Sequence, residues 1–340
     1  MNDSAPTAVI AGASGFIGSR LVADFTAEGY RVVRIGRAGS GVAVSGDAAP
    51  EDVAWSDGAA VRRAVDGAEI VVNLAGKSVN CRYTDRNRDE ILNSRLDTTG
   101  QLREAIAASA TPPRVWLNAS TATIYRYSLD RPMTESGGEL GTGFSSDIAR
   151  EWEAEFFEGD LPGTRRVALR MSIVLGDGPA TSLLLRLARL GLGGPQLDGW
   201  WFGHRRYRGI GQHPSGDGTA PRHRSRGRQK FSWVHIDDVA AAVRFIRDTD
   251  GVSGPVNVTA PNPIDNRTLM RSLRRVVGAR VGLPAFRWML EPAMFVLRTE
   301  PELVLKSRWV LPGRLAAHGF TFAWPEFEPA AADAADRTRH

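Results

Sequence analysis

Seven residues near the start of the chain, Gly12-Ala13-Ser14-Gly15-Phe16-Ile17-Gly18, combine types and spacing suited to holding a diphosphate. Gly12 permits a tight turn, Gly15 lets the main chain approach an anion, and Gly18 lets the following helix pack close to a sheet. The first N–H groups of that helix carry partial positive charge and would face the phosphates. A plain strand-to-helix turn is the competing reading. The apolar run before the glycines and the amphipathic stretch after them favour a dinucleotide site. The next apolar run ends Arg34-Ile35-Gly36-Arg37. A carboxylate there would hold a ribose 2′-hydroxyl and repel a 2′-phosphate, whereas Arg37 can grip that phosphate with two N–H groups. The expected cofactor is therefore NADP (NADPH), touched by Gly12, Ala13, Ser14, Gly15, Phe16, Ile17, Gly36 and Arg37. Arg34 is read either as a second phosphate ligand or as a solvated edge residue.

Further along, Ser120 and Thr121 close an apolar run and could hydrogen-bond a substrate oxygen, or could simply cap the strand end. They are the catalytic candidates. Cys81, a lone cysteine, is more readily inert than nucleophilic, and Tyr83 beside it is a remote candidate for an acid. His235-Ile236-Asp237-Asp238 could suggest a metal or a His–Asp pair. At the junction of a strand and a helix, capping is the better reading, with Asp237 as the cap. His204, His213 and His223 have poor ligand spacing and no cysteine partners. No metal is expected.

These residues need a scaffold, and the pattern supplies one. Short apolar runs at 7–11, 31–35, 53–55, 69–74, 114–119 and 166–171 alternate with amphipathic stretches at 16–28, 59–65, 86–108 and 147–157. That order predicts a doubly wound parallel sheet, a Rossmann α/β fold. After Gly176 the pattern loosens into a smaller C-terminal α/β substrate region. The expected division is 1–176 for the cofactor and 177–330 for the substrate pocket. Within the second part, a strand at 231–235 returns to the main domain, 195–230 is a basic insertion, and a small C-terminal unit covers about 280–328. The last dozen residues read as frayed.

The 340 residues are 42% hydrophobic, enough to bury a large core. No apolar run is long enough to span a membrane, and the polar first residues do not resemble a secretory signal. With one cysteine no internal disulfide can form, so a cytoplasmic location is expected. The net charge is +5, but eight cations stand against Asp217 alone between His204 and Lys230. Outside that segment acids slightly outnumber bases. The segment, with Trp200, Trp201 and Phe202 beside it, reads as a solvated loop, as a lid over an anionic substrate, or, with less support, as a nucleic-acid surface.

Several further segments carry a family likeness: Asn73-Leu74-Ala75-Gly76, Ser94-Arg95-Leu96-Asp97-Thr98-Thr99, Trp152-Glu153, Leu169-Arg170, Val174-Leu175-Gly176, Trp233 through Asp238, Val310-Leu311-Pro312 and Gly319-Phe320-Thr321-Phe322. With the glycine motif they resemble the atypical, extended short-chain dehydrogenase/reductases of the epimerase-family type. Those proteins join an NAD-dependent epimerase/dehydratase-like domain to a C-terminal domain of unknown function. The resemblance implies that Leu74, Ala75 and Gly76 pass the adenosine side of the cofactor, that Glu90 and Arg95 face it from one helix, and that Val174 lies beside the nicotinamide. Leu74 and Val174 read equally as core residues, and Glu90–Arg95 as a surface ion pair.

Typical relatives use a Tyr-x-x-x-Lys pair to exchange a proton as hydride moves. Counting back from Glu153, its places fall near Ser145 and Ala149, so the usual relay is absent. Arg95 stands in the place of the usual Asn, and Tyr125 fits a structural Tyr-Gly turn in which Arg126 replaces the glycine. Two functions remain open. One is an NADP-dependent oxidoreductase or epimerase acting on a small, potentially anionic molecule. The other is an NADP-binding regulatory or sensor protein with little turnover. A homodimer is compatible with both.

Overall fold

Period-two burial builds the central sheet from its first strand. β1 (Thr7–Ala11) sends Ala8 and Ile10 into one apolar layer and Val9 and Ala11 into the other, as a strand buried on both faces must. The computed structural model describes residues 5–38, 51–296 and 300–338. After β1 come α1 (Phe16–Ala27), β2 (Arg31–Gly36), β3 (Glu51–Ala54), α2 (Gly58–Val65), β4 (Ile70–Asn73), α3 (Asp85–Ala107), β5 (Val115–Thr121), α4 (Phe144–Phe157) and β6 (Arg165–Met171). The expected doubly wound order is present.

The second half holds β7 (Ile173–Leu175), α5 (Pro179–Arg189), β8 (Gln196–Leu197), β9 (Lys230–Phe231), β10 (Trp233–His235), α6 (Ile236–Asp248), β11 (Gly254–Val258), β12 (Ile264–Asp265), α7 (Asn266–Val277), β13 (Ala285–Phe286), α8 (Arg287–Val296), α9 (Glu302–Leu305), α10 (Gly313–Ala317) and α11 (Phe327–Arg337). The seven-stranded sheet runs β11-β6-β5-β4-β1-β2-β3, and every neighbouring pair is parallel. Chain order reverses between β1 and β4. At such a reversal the loops beyond the strand ends part and leave a crevice.

Three local expectations are corrected. Residues 231–235 form two short strands broken at Ser232: β9 pairs with β12, β10 pairs with β7, and β11 is the strand that extends the large sheet. The Ser232 hydroxyl donates to the Arg308 carbonyl at 2.7 Å and accepts from the Val310 amide at 2.9 Å, so its side chain serves the C-terminal segment. His235, and not Asp237, caps α6: its Nδ1 accepts from the Asp237 amide at 3.3 Å. The tail is helical rather than frayed, because Phe327, Ala330, Ala331, Ala334 and Ala335 form a buried stripe in one core with α5 and α7.

Residues 195–230 have little regular structure but are firmly held. Arg88 on α3 donates to the carbonyls of Arg205, Arg206, Arg208 and Gly209, at 2.8–3.2 Å, and lies over the Phe144 ring. Asp147 on α4 accepts from the amides of Ile210 and Ser215. Arg206 is buried against Glu291 at 2.6 Å and Glu300 at 3.3 Å. The insertion is thus a packed cover over the N-terminal ends of α3 and α4, clasped to the C-terminal segment.

Candidate cofactor and reaction site

Parallel strands put the segments after β1, β2, β4, β5 and β6 on one edge of the sheet. After β1, Gly12 takes φ +77°, and a Cβ there would meet the Leu74 carbonyl carbon at 2.8 Å. A Cβ on Gly18 would stand 2.3 Å from the Gly12 carbonyl oxygen. Only glycine fits either place. Gly15, the N-cap of α1, offers no side-chain cap, and the first turn holds no acidic residue. Its leading amides are open to an outside anion, beside the exposed Ser14 and Gly15. This glycine-lined cradle fits a dinucleotide's phosphates.

At the end of β2, Gly36 is half-buried and Arg37 exposed. Arg34 forms a two-point ion pair with Asp52 of β3, at 2.8 and 2.7 Å, which accounts for it without a phosphate. After β4, the Asn73 carboxamide accepts from the Ala75 amide at 3.1 Å and donates to Asn118 at 2.7 Å. That buried bridge shapes the turn that brings Leu74 and Ala75 to Gly12. Leu74 and Val174 are half-buried against the core, so each packs on it while keeping part of its surface exposed.

Glu90 and Arg95 do not pair with each other. Glu90 pairs with Lys77 and Arg86, which hold its carboxyl below the usual range. Arg95 donates to the carbonyls of Lys77 and Ile91 at 3.0 and 2.8 Å, lies over the Trp152 ring and touches the Gly76 position. Burial brings its pKa down to about 10. Lys77 joins the two and was not singled out from sequence. Its signal was a lysine directly after Asn-Leu-Ala-Gly.

Beyond β5 the two catalytic candidates diverge. Ser120 donates to Glu153, which takes two N–H groups of Arg170 at 2.8 and 2.6 Å. Tyr125 completes this buried network through Arg170 and Asn257. Ser120 and Tyr125 are therefore engaged inside the fold. Thr121 caps the following turn by accepting from the Thr123 amide at 3.2 Å, and its hydroxyl lies 3.1 Å from that of Thr123. Both threonines keep some exposure. Tyr83 is buried against Phe144, and burial drives its pKa well above that of a free phenol. Burial likewise raises the pKa of the Cys81 thiol.

His235, Asp237 and Asp333 converge, but guanidinium groups already hold this cluster. Asp237 meets Arg20 and Arg337, and Asp333 meets Arg337. Among the described residues no helix is long and apolar enough to cross a membrane.

Comparison with known sequences matches residues 8–259 to the NAD dependent epimerase/dehydratase family and residues 285–334 to a domain of unknown function, DUF1731. The chain belongs to the NAD dependent epimerase/dehydratase family. Among its relatives, the epimerase family protein SDR39U1 of Bos taurus is 30% identical over 94% of this chain and 96% of its own length. The epimerase family protein YfhF of Bacillus subtilis is 29% identical over 93% and 94%. Of solved structures, that of human SDR39U1 (isoform 2) with NADPH superposes with TM-score 0.77 at 27% identity, covering 97% of this chain and 99% of that one. MoeE5, solved with UDP-glucose and NAD, shares the fold at TM-score 0.68 and 18% identity. This epimerase/dehydratase member thus keeps the family's Rossmann body, while its α4 carries Ser145 and Ala149 and holds neither Tyr nor Lys.

Proposed function

We propose that this protein binds NADP in the β1–β4 crevice and carries out oxidoreduction or epimerisation on a small, anionic molecule. The uncapped amides of α1 above the Gly12–Gly18 cradle carry the reading. Gly12, Ala13, Ser14, Gly15, Phe16 and Ile17 would hold the pyrophosphate, and Gly36 with Arg37 the adenosine 2′-phosphate. Leu74, Ala75, Gly76, Glu90 and Arg95 would flank the adenosine side, and Val174 the nicotinamide. The bound nicotinamide supplies or accepts hydride. Thr121 would hydrogen-bond the substrate oxygen, with Ser120 positioning Glu153 behind it. Residues 1–176 would act as the cofactor body and 177–330 as the pocket wall. The NADPH in human SDR39U1 and the exposed Arg37 favour the phosphorylated cofactor.

A second reading, an NADP-binding sensor with little turnover, is favoured by the engagement of Ser120 and Tyr125 inside the fold. Titration calorimetry tests the shared part. NADPH should bind more tightly than NADH, and Arg37→Asp should weaken NADPH by at least about tenfold while leaving NADH within twofold. Equal losses would remove Arg37 from the site, and no heat with either nucleotide would end both readings. Turnover across a panel of carbonyl compounds and nucleotide-sugars then separates enzyme from sensor.

A further inference from the structure

The turn beyond β5 receives an ionisable side chain from far along the sequence. Lys306, just after α9, donates from Nζ to the Thr123 carbonyl at 3.2 Å and lies 3.3 Å from the Ser146 hydroxyl. Ser146 itself donates to the same carbonyl at 3.0 Å. An ammonium has three N–H groups, and two are accounted for. The nearest carboxylate oxygen, on Glu302, is 3.8 Å away, beyond hydrogen-bond length. Among the described residues, one N–H therefore lacks an acceptor, at the strand-end edge where Thr121 and Thr123 present hydroxyls.

The surroundings favour a nitrogen that changes charge near neutrality. Lys306 is only 8% exposed. Arg308 on its own segment disfavours the cation and Glu302 favours it. From the other elements come Thr123 and Ser146, which are neutral, while Tyr83 faces Glu302 and Arg308 from the loop after β4. Burial is the largest influence and brings the amine down to about 8. Lysine is one of only three among the 43 basic residues, the others being Lys77 and Lys230. An arginine here would stay charged throughout.

We propose that Lys306, supplied by the C-terminal segment, is the group that exchanges a proton with the substrate oxygen beside Thr121. The proposal rests on the nucleotide-dependent reading above. In the reducing direction, an Nζ–H bond breaks as an O–H bond forms on a carbonyl oxygen, and the N–H electron pair stays on nitrogen. Hydride from a reduced nicotinamide nucleotide adds to the carbon. In the oxidising direction the neutral amine takes the alcohol proton as hydride leaves to the oxidised nucleotide. The terminal segment would then complete the reaction site as well as cover it.

The test combines a spectroscopic and a kinetic arm on the full chain. With ¹³C-methyl labels placed on lysine, three side-chain signals arise, assigned by Lys77→Arg, Lys230→Arg and peptide mass mapping. The Lys306 signal should titrate near pH 8 and should shift when NADPH is added. In Lys306→Met and Lys306→Arg, NADPH affinity should stay within threefold, while turnover of any panel substrate falls by at least about 100-fold. A Lys306 signal that titrates at the ordinary lysine value of 10.5, or that ignores NADPH, overturns the proposal even where no panel substrate turns over or Lys306→Met fails to fold. Retained turnover in either variant also overturns it. Failure of the unmodified protein to bind NADPH overturns the nucleotide reading instead, and this proposal with it.

Discussion

Near the middle of β1, β4 and β5 the interior is apolar: Val9, Ile10, Val71, Val72 and Leu117 are fully buried in the two apolar layers that flank the sheet. Beneath the insertion the interior is ionic. Arg206 meets Glu291 and Glu300, and Arg287 meets Asp198 at 2.9 Å and Glu291 at 3.4 Å, all buried. The first region gains stability from water expelled and asks little of its partners beyond size and shape. The second must pair every charge it buries, since a charge left alone in a dry site is costly. The sheet thus tolerates exchange among apolar residues, while the clasp fixes one arrangement of insertion and C-terminal segment.

The largest expected effect breaks that clasp. Arg206→Ala leaves the Glu291 and Glu300 carboxylates together in a buried site and should cost about 3–5 kcal/mol in urea unfolding. Arg206→Met, which refills the volume, should also be costly, because volume is not what is missing. Leu117→Ala should cost about 2–5 kcal/mol through a cavity, but Leu117→Met should restore most of it. If both methionine variants recover equally, the two interiors obey one rule and the comparison is wrong.

A second prediction uses pH. Unfolded, Lys306 keeps its proton to about 10.5, whereas folded it gives it up near 8. Between those values the unfolded chain binds more protons, so stability rises with pH, by about 3 kcal/mol over the full interval. The raised pKa values of Tyr83 and Cys81 act in the opposite sense, because folding holds their protons longer. The quantity to measure is therefore the difference between wild type and Lys306→Met. Denaturant unfolding from pH 7 to 10 should show that difference moving in favour of the wild type as pH rises. A flat difference would place an ordinary, hydrated lysine at 306.

The two regions also differ in how far the sequence disclosed them. The strand–glycine–helix start of the sheet is local: residues within about twenty positions dictate the turn, the cradle and the helix, and all were legible. The clasp is not. Arg206 lies far along the chain from Glu291 and Glu300, and an arginine among seven other cations reads as a solvated charge until its partners are placed beside it. Arg88 reads as a solvent-facing helix residue for the same reason. Lys306 had a local sign, a single lysine closing an apolar run. Its meaning depended on Thr123 and Ser146, each more than 150 residues away. The Ala-rich tail misled for a different reason. Alanine forms helices well, but its small burial per residue hides a stripe that counts only once α5 and α7 lie against it.

The smallest effect sharpens the comparison by keeping the chemistry and changing only the surroundings. Arg31 on β2 pairs with Glu51 on β3, so the residue types are those of the Arg206–Glu291 pair. Here, however, the two side chains are 59% and 53% exposed. Water solvates either partner when the other is removed, and holding two long side chains together costs entropy. Arg31→Ala should therefore lower stability by no more than about 1 kcal/mol. Raising the salt concentration should shrink even that difference, because exposed charges are screened, while the Arg206→Ala deficit should persist in the same salt. Urea unfolding of both variants at low and high sodium chloride tests this directly. A loss at Arg31 as large as that at Arg206 would mean that burial is not what makes the clasp costly to break, and that the insertion is held by its main-chain contacts to Arg88 and Asp147 instead.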